Sequence, residues 1–132
     1  MKCLSVRQPY AALIVSGSKS IETRTWQTKY RGPLLIQASM RPDAEAFARL
    51  SARIVGDAAN FHGVIVGIVD LVDCRPLTPE DSEAACYPYD EGRYAWVLEN
   101  PRALATPVPF LGKLGLFEID SQSVKDLWAS TG

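Results

Sequence analysis

The chain has 132 residues, 47% of them apolar and 22% charged, which fits one ordinary globular domain and excludes a disordered, fibrous or disulfide-stapled protein. Its net charge of −1 hides an asymmetry, since residues 1–60 carry nine Lys and Arg against four Asp and Glu, and residues 61–132 carry five against eleven. No apolar run approaches the ~18 residues of a membrane span, and the N-terminus lacks the apolar core of a secretion signal, so a cytoplasmic single domain over residues 1–132 is expected.

In chain order, Lys2 to Val6 has strand character, and Gln8-Pro9 opens a helix with Tyr10, Leu13 and Ile14 as its apolar stripe and Gly17 as its stop. From Ser20 to Trp26 the residues alternate, with Ile21, Thr23 and Thr25 on one face and Glu22, Arg24 and Trp26 on the other, which predicts a half-buried strand. Pro33 to Ser39 reads as a buried strand, and Asp43 as the cap of a helix carrying Phe47, Leu50 and Ile54 before Gly56. Gly63 to Cys74 is the strongest strand signal, expected at the centre of a sheet, with burial on both faces or a bend at Gly67. Thr78-Pro79-Glu80-Asp81 has the form of a capping box that opens a short acidic helix ending before Pro88.

Arg93 to Glu99 alternates as a strand and Leu116 to Ile119 is the last one. Between them, Pro101, Pro107 and Pro109 predict an extended edge unable to supply a full hydrogen-bond ladder. Val124, Leu127 and Trp128 predict one docking helical turn. Five or six short strands with two or three flanking helices, without regular βαβ alternation, imply a small α+β barrel with a cleft near its helices.

Cys3, Cys74 and Cys86 are odd in number and lack C-x-x-C spacing, and His62 is the only histidine, so neither a disulfide framework, a metal centre nor a cofactor is signalled. Asp70 and Asp73 offer at most weak ligands for a hard cation. His62, beside Gly63 at the start of an apolar strand, reads as a turn residue.

Chemistry concentrates in the first 31 residues, where Lys2, Arg7, Lys19, Arg24, Lys29 and Arg31 face the single acid Glu22, an excess able to focus an anionic ligand. Glu22 and Arg24, two apart on one strand face, can pair side by side, with Lys19 in the preceding turn able to swing over either. Arginine offers a planar fork for phosphate or a base edge, lysine a point charge, and glutamate a carboxylate that accepts from a base amine or moves a proton. Trp26 and Tyr30 nearby can supply a stacking surface. An exposed Glu–Arg ion pair beside a half-buried Trp is the structural alternative. Gln8, at the strand-to-helix junction Arg7-Gln8-Pro9, has an amide that both donates to and accepts from a base. Ser5 can line the same mouth, and Lys113, in a glycine-rich turn, can approach a phosphate. Trp96 reads as core, and Cys86, Tyr87 and Tyr89 as a loop able to form a lid.

Leu4 to Ala11 and then Gly17 to Arg24, which carries the pattern G-x-K-x-x-E-x-R, resemble the opening of an ASCH domain. The resemblance continues through Lys29 to Ile36, Tyr94 to Pro101 and Gly112 to Leu116, and so spans nearly the whole chain in order. It implies a PUA-like β-barrel with a cleft beside the motif strand, in a family linked to transcription coactivation, RNA or DNA binding, ribonuclease activity and deacetylation of a modified cytidine. The function expected is a nucleic-acid-binding module for single-stranded RNA or a modified nucleotide, with DNA as a further partner and no membrane. Its binding residues would be Gln8, Lys19, Glu22, Arg24, Trp26, Tyr30 and Lys113. The alternatives are a metal-independent hydrolase, ribonuclease or acylated-nucleoside amidohydrolase, using Lys19 and Glu22, and a protein-interaction module. In the deacetylase-like branch the motif is G-x-K-x-x-T-x-R; here Glu22 stands at the Thr position, and Thr23 and Thr25 are expected on the other strand face.

Overall fold

The computed structural model describes the backbone of residues 1–131 and, within that range, all side chains except those of Ser121, Leu127, Trp128, Ser130 and Thr131. Among the described residues six strands form one sheet: β1 (Lys2–Val6), β2 (Ile21–Arg24), β3 (Gly32–Ala38), β4 (Val64–Pro76), β5 (Tyr94–Pro109) and β6 (Leu116–Glu118). Four α-helices accompany them: α1 (Tyr10–Ser16), α2 (Ala44–Arg49), α3 (Ser82–Ala85) and α4 (Ser121–Thr131). The sheet order is β2-β5-β4-β3-β1-β6, antiparallel throughout except for the parallel β1–β3 pair.

The middle strands are apolar without alternation because both of their faces are covered. Along β3, Leu34, Ile36 and Ala38 join Leu13 and Ile14 of α1 in the main core, whereas Leu35 joins Cys3, Ile65, Ile68 and Phe117 in a second cluster against which Val124 of α4 packs. Burial holds the Cys3 thiol up at about 12, so it behaves as a small apolar group. Of the two expectations for β4, burial on both faces or a bend at Gly67, the strand shows two-sided burial together with an irregular ladder at Gly67. The β3–β4 and β4–β5 registers both shift beside it, and a Cβ there would lie 2.5 Å from the Arg102 carbonyl oxygen and 2.6 Å from Val15 Cγ1. Close approach of α1 and β5 therefore requires a residue without a side chain.

Several local signals appear as the sequence implies. Gly17 ends α1 in the left-handed conformation at φ 87°, and Asp43 caps α2 through Ala46 N. The Thr78–Asp81 capping box is complete and Arg75 grips Asp81 at 2.8 and 2.9 Å, which holds the Asp81 carboxyl down at about 2. Other expectations are corrected. The helix expected through Ile54 stops at Arg49 and continues only as a 3₁₀ turn, Ser51–Arg53. The proline-rich segment keeps the edge character expected of it but is not a separate strand: it is the second half of β5, paired with β4 alone, because β2 pairs with β5 only over residues 94–97. Three register shifts in the β4–β5 ladder let a proline-bearing strand continue there. The C-terminal segment is the eleven-residue α4 rather than one turn, so the described residues form four α-helices; the side chains of Leu127 and Trp128 lie outside the described residues.

β2 lies at one edge of the sheet, with three strands between it and β1 in the hydrogen-bonding order. Even so, Arg24 Nη2 donates to the Ser5 carbonyl at 3.0 Å. The sheet thus curls into a barrel-like cup whose lip is closed by this bond, and the cleft lies inside the lip.

Candidate functional site

Because Gly17 reverses the chain after α1, Lys19 N bonds back to Leu13 O and its side chain turns inward. Its ammonium donates to the carbonyls of Ile21, at 2.7 Å, and Ala85, the last residue of α3, and lies 3.3 Å from Glu22 Oε1. It also sits 5.0 Å from the centroid of the Tyr10 ring. With a side chain only 1% exposed, Lys19 is fixed, not the mobile turn residue expected. The reason is α3: its terminal carbonyl, lacking a helical partner, needs a buried donor, and Lys19 supplies it.

Glu22 is likewise buried. Its Oε1 faces Lys19, and its Oε2 accepts from Arg24 Nη2 at 2.7 Å and Nε at 3.1 Å. Burial alone would raise its pKa, but the Arg24 and Lys19 charges outweigh that and hold the carboxyl below the ordinary carboxylate range. Burial draws Lys19 down from its ordinary value against the pull of Glu22. Three oxygen acceptors around one nitrogen are nevertheless what a charged ammonium, with three donors, satisfies. Arg24 is the group left with capacity: its Nη1 has no protein acceptor among the described residues.

These residues wall a concave cavity of about 340 Å³, within the size range of small-molecule sites. Four cationic residues, Arg7, Lys19, Arg24 and Arg93, line it against the single acid Glu22. Tyr10 and Tyr87 form an aromatic wall, their rings 6.3 Å apart, and the Arg93 guanidinium lies 5.1 Å from the Tyr87 ring. Ser5, at the end of β1, and Ser39, just after β3, supply hydroxyls, and neither Oγ has a hydrogen-bond partner among the described residues. Thr23, expected to face away, lines the same cavity, with its Oγ1 3.4 Å from Arg93 Nη1.

The structure brings Lys19, Glu22 and Arg24 together and places the other four candidate residues elsewhere. Gln8 is 0% exposed; its Nε2 donates to Ala58 O and Phe61 O, and its Oε1 accepts from Ala12 N, so the amide ties α1 to the 58–61 turn. Trp26 is 36% exposed and meets the buried Trp96 edge to face at 4.8 Å, outside the cavity lining. The Tyr30 hydroxyl donates to Pro33 O. Lys113 lies on a neighbouring depression. Asp70 is paired with Arg102 and Asp73 with Arg31, and His62 sits in its turn with Nδ1 3.3 Å from Ser39 O. Sequence reasoning missed Tyr10 and Arg93 as site residues. Tyr10 belongs to a helical apolar stripe and Arg93 stands 69 positions from Arg24, so no local pattern marks either.

Comparison with known proteins matches the ASCH domain model over residues 4–108. Activating signal cointegrator 1 from Homo sapiens and from Mus musculus are each 30% identical over 135 aligned positions covering 91% of this chain. The chain spans only 22% of the length of those relatives. Among solved structures, the ASCH protein of Zymomonas mobilis superposes with a TM-score of 0.71 at 13% identity, covering 99% of this chain and 95% of that one. A serine-to-alanine variant of the same protein gives 0.67 over 99% and 96% at the same identity. At this identity the likeness establishes the fold.

Proposed function

This chain belongs to the ASCH domain family, and from that premise we propose that it is a nucleic-acid-binding module that takes a single-stranded RNA segment or a nucleotide into the cleft beside Glu22 and Arg24. The observation that carries the reading is the cavity's composition: four cations to one acid, with two tyrosines along the wall. Cations suit a phosphate and aromatic faces suit a base, and no metal is needed for either. In this reading Arg24 Nη1, Arg7 and Arg93 face the ligand, while Lys19 and Glu22 hold Arg24 in place.

Binding is favoured over hydrolysis by the state of Glu22. Both its oxygens already contact cations and its carboxyl is held ionised, which suits an orienting anion better than a base that must take up a proton. Lys19, with every donor engaged, is equally poorly placed to activate a water.

The test is fluorescence anisotropy with a labelled single-stranded RNA and its DNA counterpart at 50 mM salt, with mononucleotides as competitors, and mass spectrometry of the RNA mixture for cleavage and of a parallel mixture with acylated nucleosides for deacylation. Saturable RNA binding that weakens in Arg24→Ala, without product, is expected. Absence of binding to RNA, DNA and nucleotides would transfer the assignment to a protein-interaction role, and product formation to the hydrolase.

A further inference from the structure

The loop between β5 and β6, residues 110–115, carries two leucines that the fold leaves outside. Leu114 is 99% exposed and Leu111 81%, and Met40, just after β3, is 69% exposed; all three line one surface depression of about 530 Å³. Single exposed leucines are ordinary, whereas several gathered on one concave face mark a place where another surface is buried. The charged residues on the same lining are Arg41 and Lys113, both exposed, with no acid beside them. Lys113 stands 6.0 Å from the Phe117 ring, and neither cation forms an ion pair among the described residues.

The leucines are held out by what lies beneath the loop. Gln37 Nε2 donates to Phe110 O at 2.9 Å, and the Gly112 backbone packs so closely on β1 and β3 that a Cβ there would lie 2.7 Å from Ser5 Oγ and 2.8 Å from Gln37 Oε1. That ground is already filled, so neither leucine can turn inward without lifting the loop. A second depression of about 360 Å³ shares Met40, Leu111 and Gly112, adds Pro109 and Phe110, and has no charged residue on its lining. Met40 and Leu111 thus stand between an uncharged hollow and a basic one.

We propose that this face docks an acidic peptide segment of a partner protein, a function separate from that of the cleft. The segment's large apolar side chains lie against Leu111, Leu114 and Met40, and its carboxylates meet Arg41 and Lys113. A second copy of this chain fits less well, because a self-complementary contact would gather two sets of Arg41 and Lys113 with no acid between them. A nucleic-acid strand would find cations but no aromatic ring on the basic lining, and stacking on rings is what holds an unpaired base.

Selection of short random peptides displayed on phage against the folded full chain, followed by anisotropy of the enriched peptides carrying a fluorophore, tests this. Enriched sequences are expected to combine Asp or Glu with large apolar residues. Their binding should weaken at least about tenfold in Leu111→Ser/Leu114→Ser, where two buried leucines are lost, and also in Arg41→Glu/Lys113→Glu, with melting confirming that each variant is folded. Excess nucleoside monophosphate should not displace the peptide, and the leucine variant should bind single-stranded RNA as the parent does. No enrichment, enriched peptides without acidic residues, binding preserved in both variants, or displacement by the nucleotide overturns the docking face while leaving the cleft's role intact. RNA binding that falls with the leucines would give the face to nucleic acid, and a sedimenting dimer that the leucine variant dissolves would give it to a second copy; either result overturns the proposal.

Discussion

Arg24 Nη2 lies 3.0 Å from the carbonyl oxygen of Ser5 and 2.7 Å from Glu22 Oε2, so one nitrogen joins the edge strand β2 to β1 and to the buried carboxylate that orients it. The G-x-K-x-x-E-x-R segment is thus first a clasp. Lys19 fastens β2 to the end of α3, Glu22 bridges the two cations, and Arg24 closes the lip and lines the cavity.

Replacing Glu22 by Gln keeps the shape and removes the charge between two cations, one of them fully buried. Breaking a buried pair in this way costs about 3 kcal/mol or more. Urea denaturation should report that loss in unfolding free energy. A loss below about 1 kcal/mol, the level of an exposed pair, would mean that Lys19 finds another counter-charge.

Arg24 and Lys19 should separate when affinity is followed against salt. A single-strand ligand held by Arg7, Arg24 and Arg93 gives a log–log slope of roughly −2, and Arg24→Ala should flatten it by about 0.7. Lys19→Met should lower stability and leave the slope in place, because the Lys19 donors are spent on protein oxygens. Equal flattening by both would show that Lys19 leaves its carbonyls to meet the ligand.

Acid should weaken the fold through Asp81 and Glu22. Both carboxyls titrate lower in the folded protein than their ordinary values, Asp81 at about 2. Their contribution is therefore complete above the unfolded carboxylate range near pH 4 and is lost as pH falls towards 2. Asp81→Asn, which loses the Arg75 grip and half the capping box, should remove about 1–2 kcal/mol at pH 7 and flatten the acid limb of a stability–pH curve. An unchanged acid limb in that variant would place the dependence on other carboxyls.

Gln8→Ala deletes an amide that makes three hydrogen bonds in the protein interior. Leaving two carbonyls and one N–H without it should cost about 2–3 kcal/mol. Affinity of the folded fraction for RNA should stay within a factor of two or so of the parent, since less than about 0.4 kcal/mol is at stake. A tenfold loss of affinity in a folded variant would instead put the amide in contact with ligand.

What could be read from the sequence was what short-range patterns encode. The Thr78–Asp81 box, the Asp43 cap, the Gly17 stop and the two-sided burial of β4 all rest on spacings of a few residues. The proximity of Lys19, Glu22 and Arg24 was legible for the same reason. The burial of Lys19 was not, because it depends on the Ala85 carbonyl, 66 positions away, and a lysine in a turn otherwise belongs in solvent. Thr23 shows the limit of strand alternation: at the lip of a curled sheet, residues from successive positions reach one cavity. The continuation of β5 through Pro101, Pro107 and Pro109 depended on register shifts that only the partner strand reveals.

The bond between Ser5 and Arg24 also gives the cleft a thermodynamic voice. Its walls come from positions as far apart as Ser5 and Arg93, so the compartment exists only while the sheet is curled, and whatever occupies it binds the folded chain and not the unfolded one. Occupancy at a hundred times the dissociation constant would then add about 2.7 kcal/mol to the folding free energy. A library of nucleotides, modified nucleosides and short oligomers can be ranked by the melting temperature alone, and the ligand found before any reaction has to be assumed.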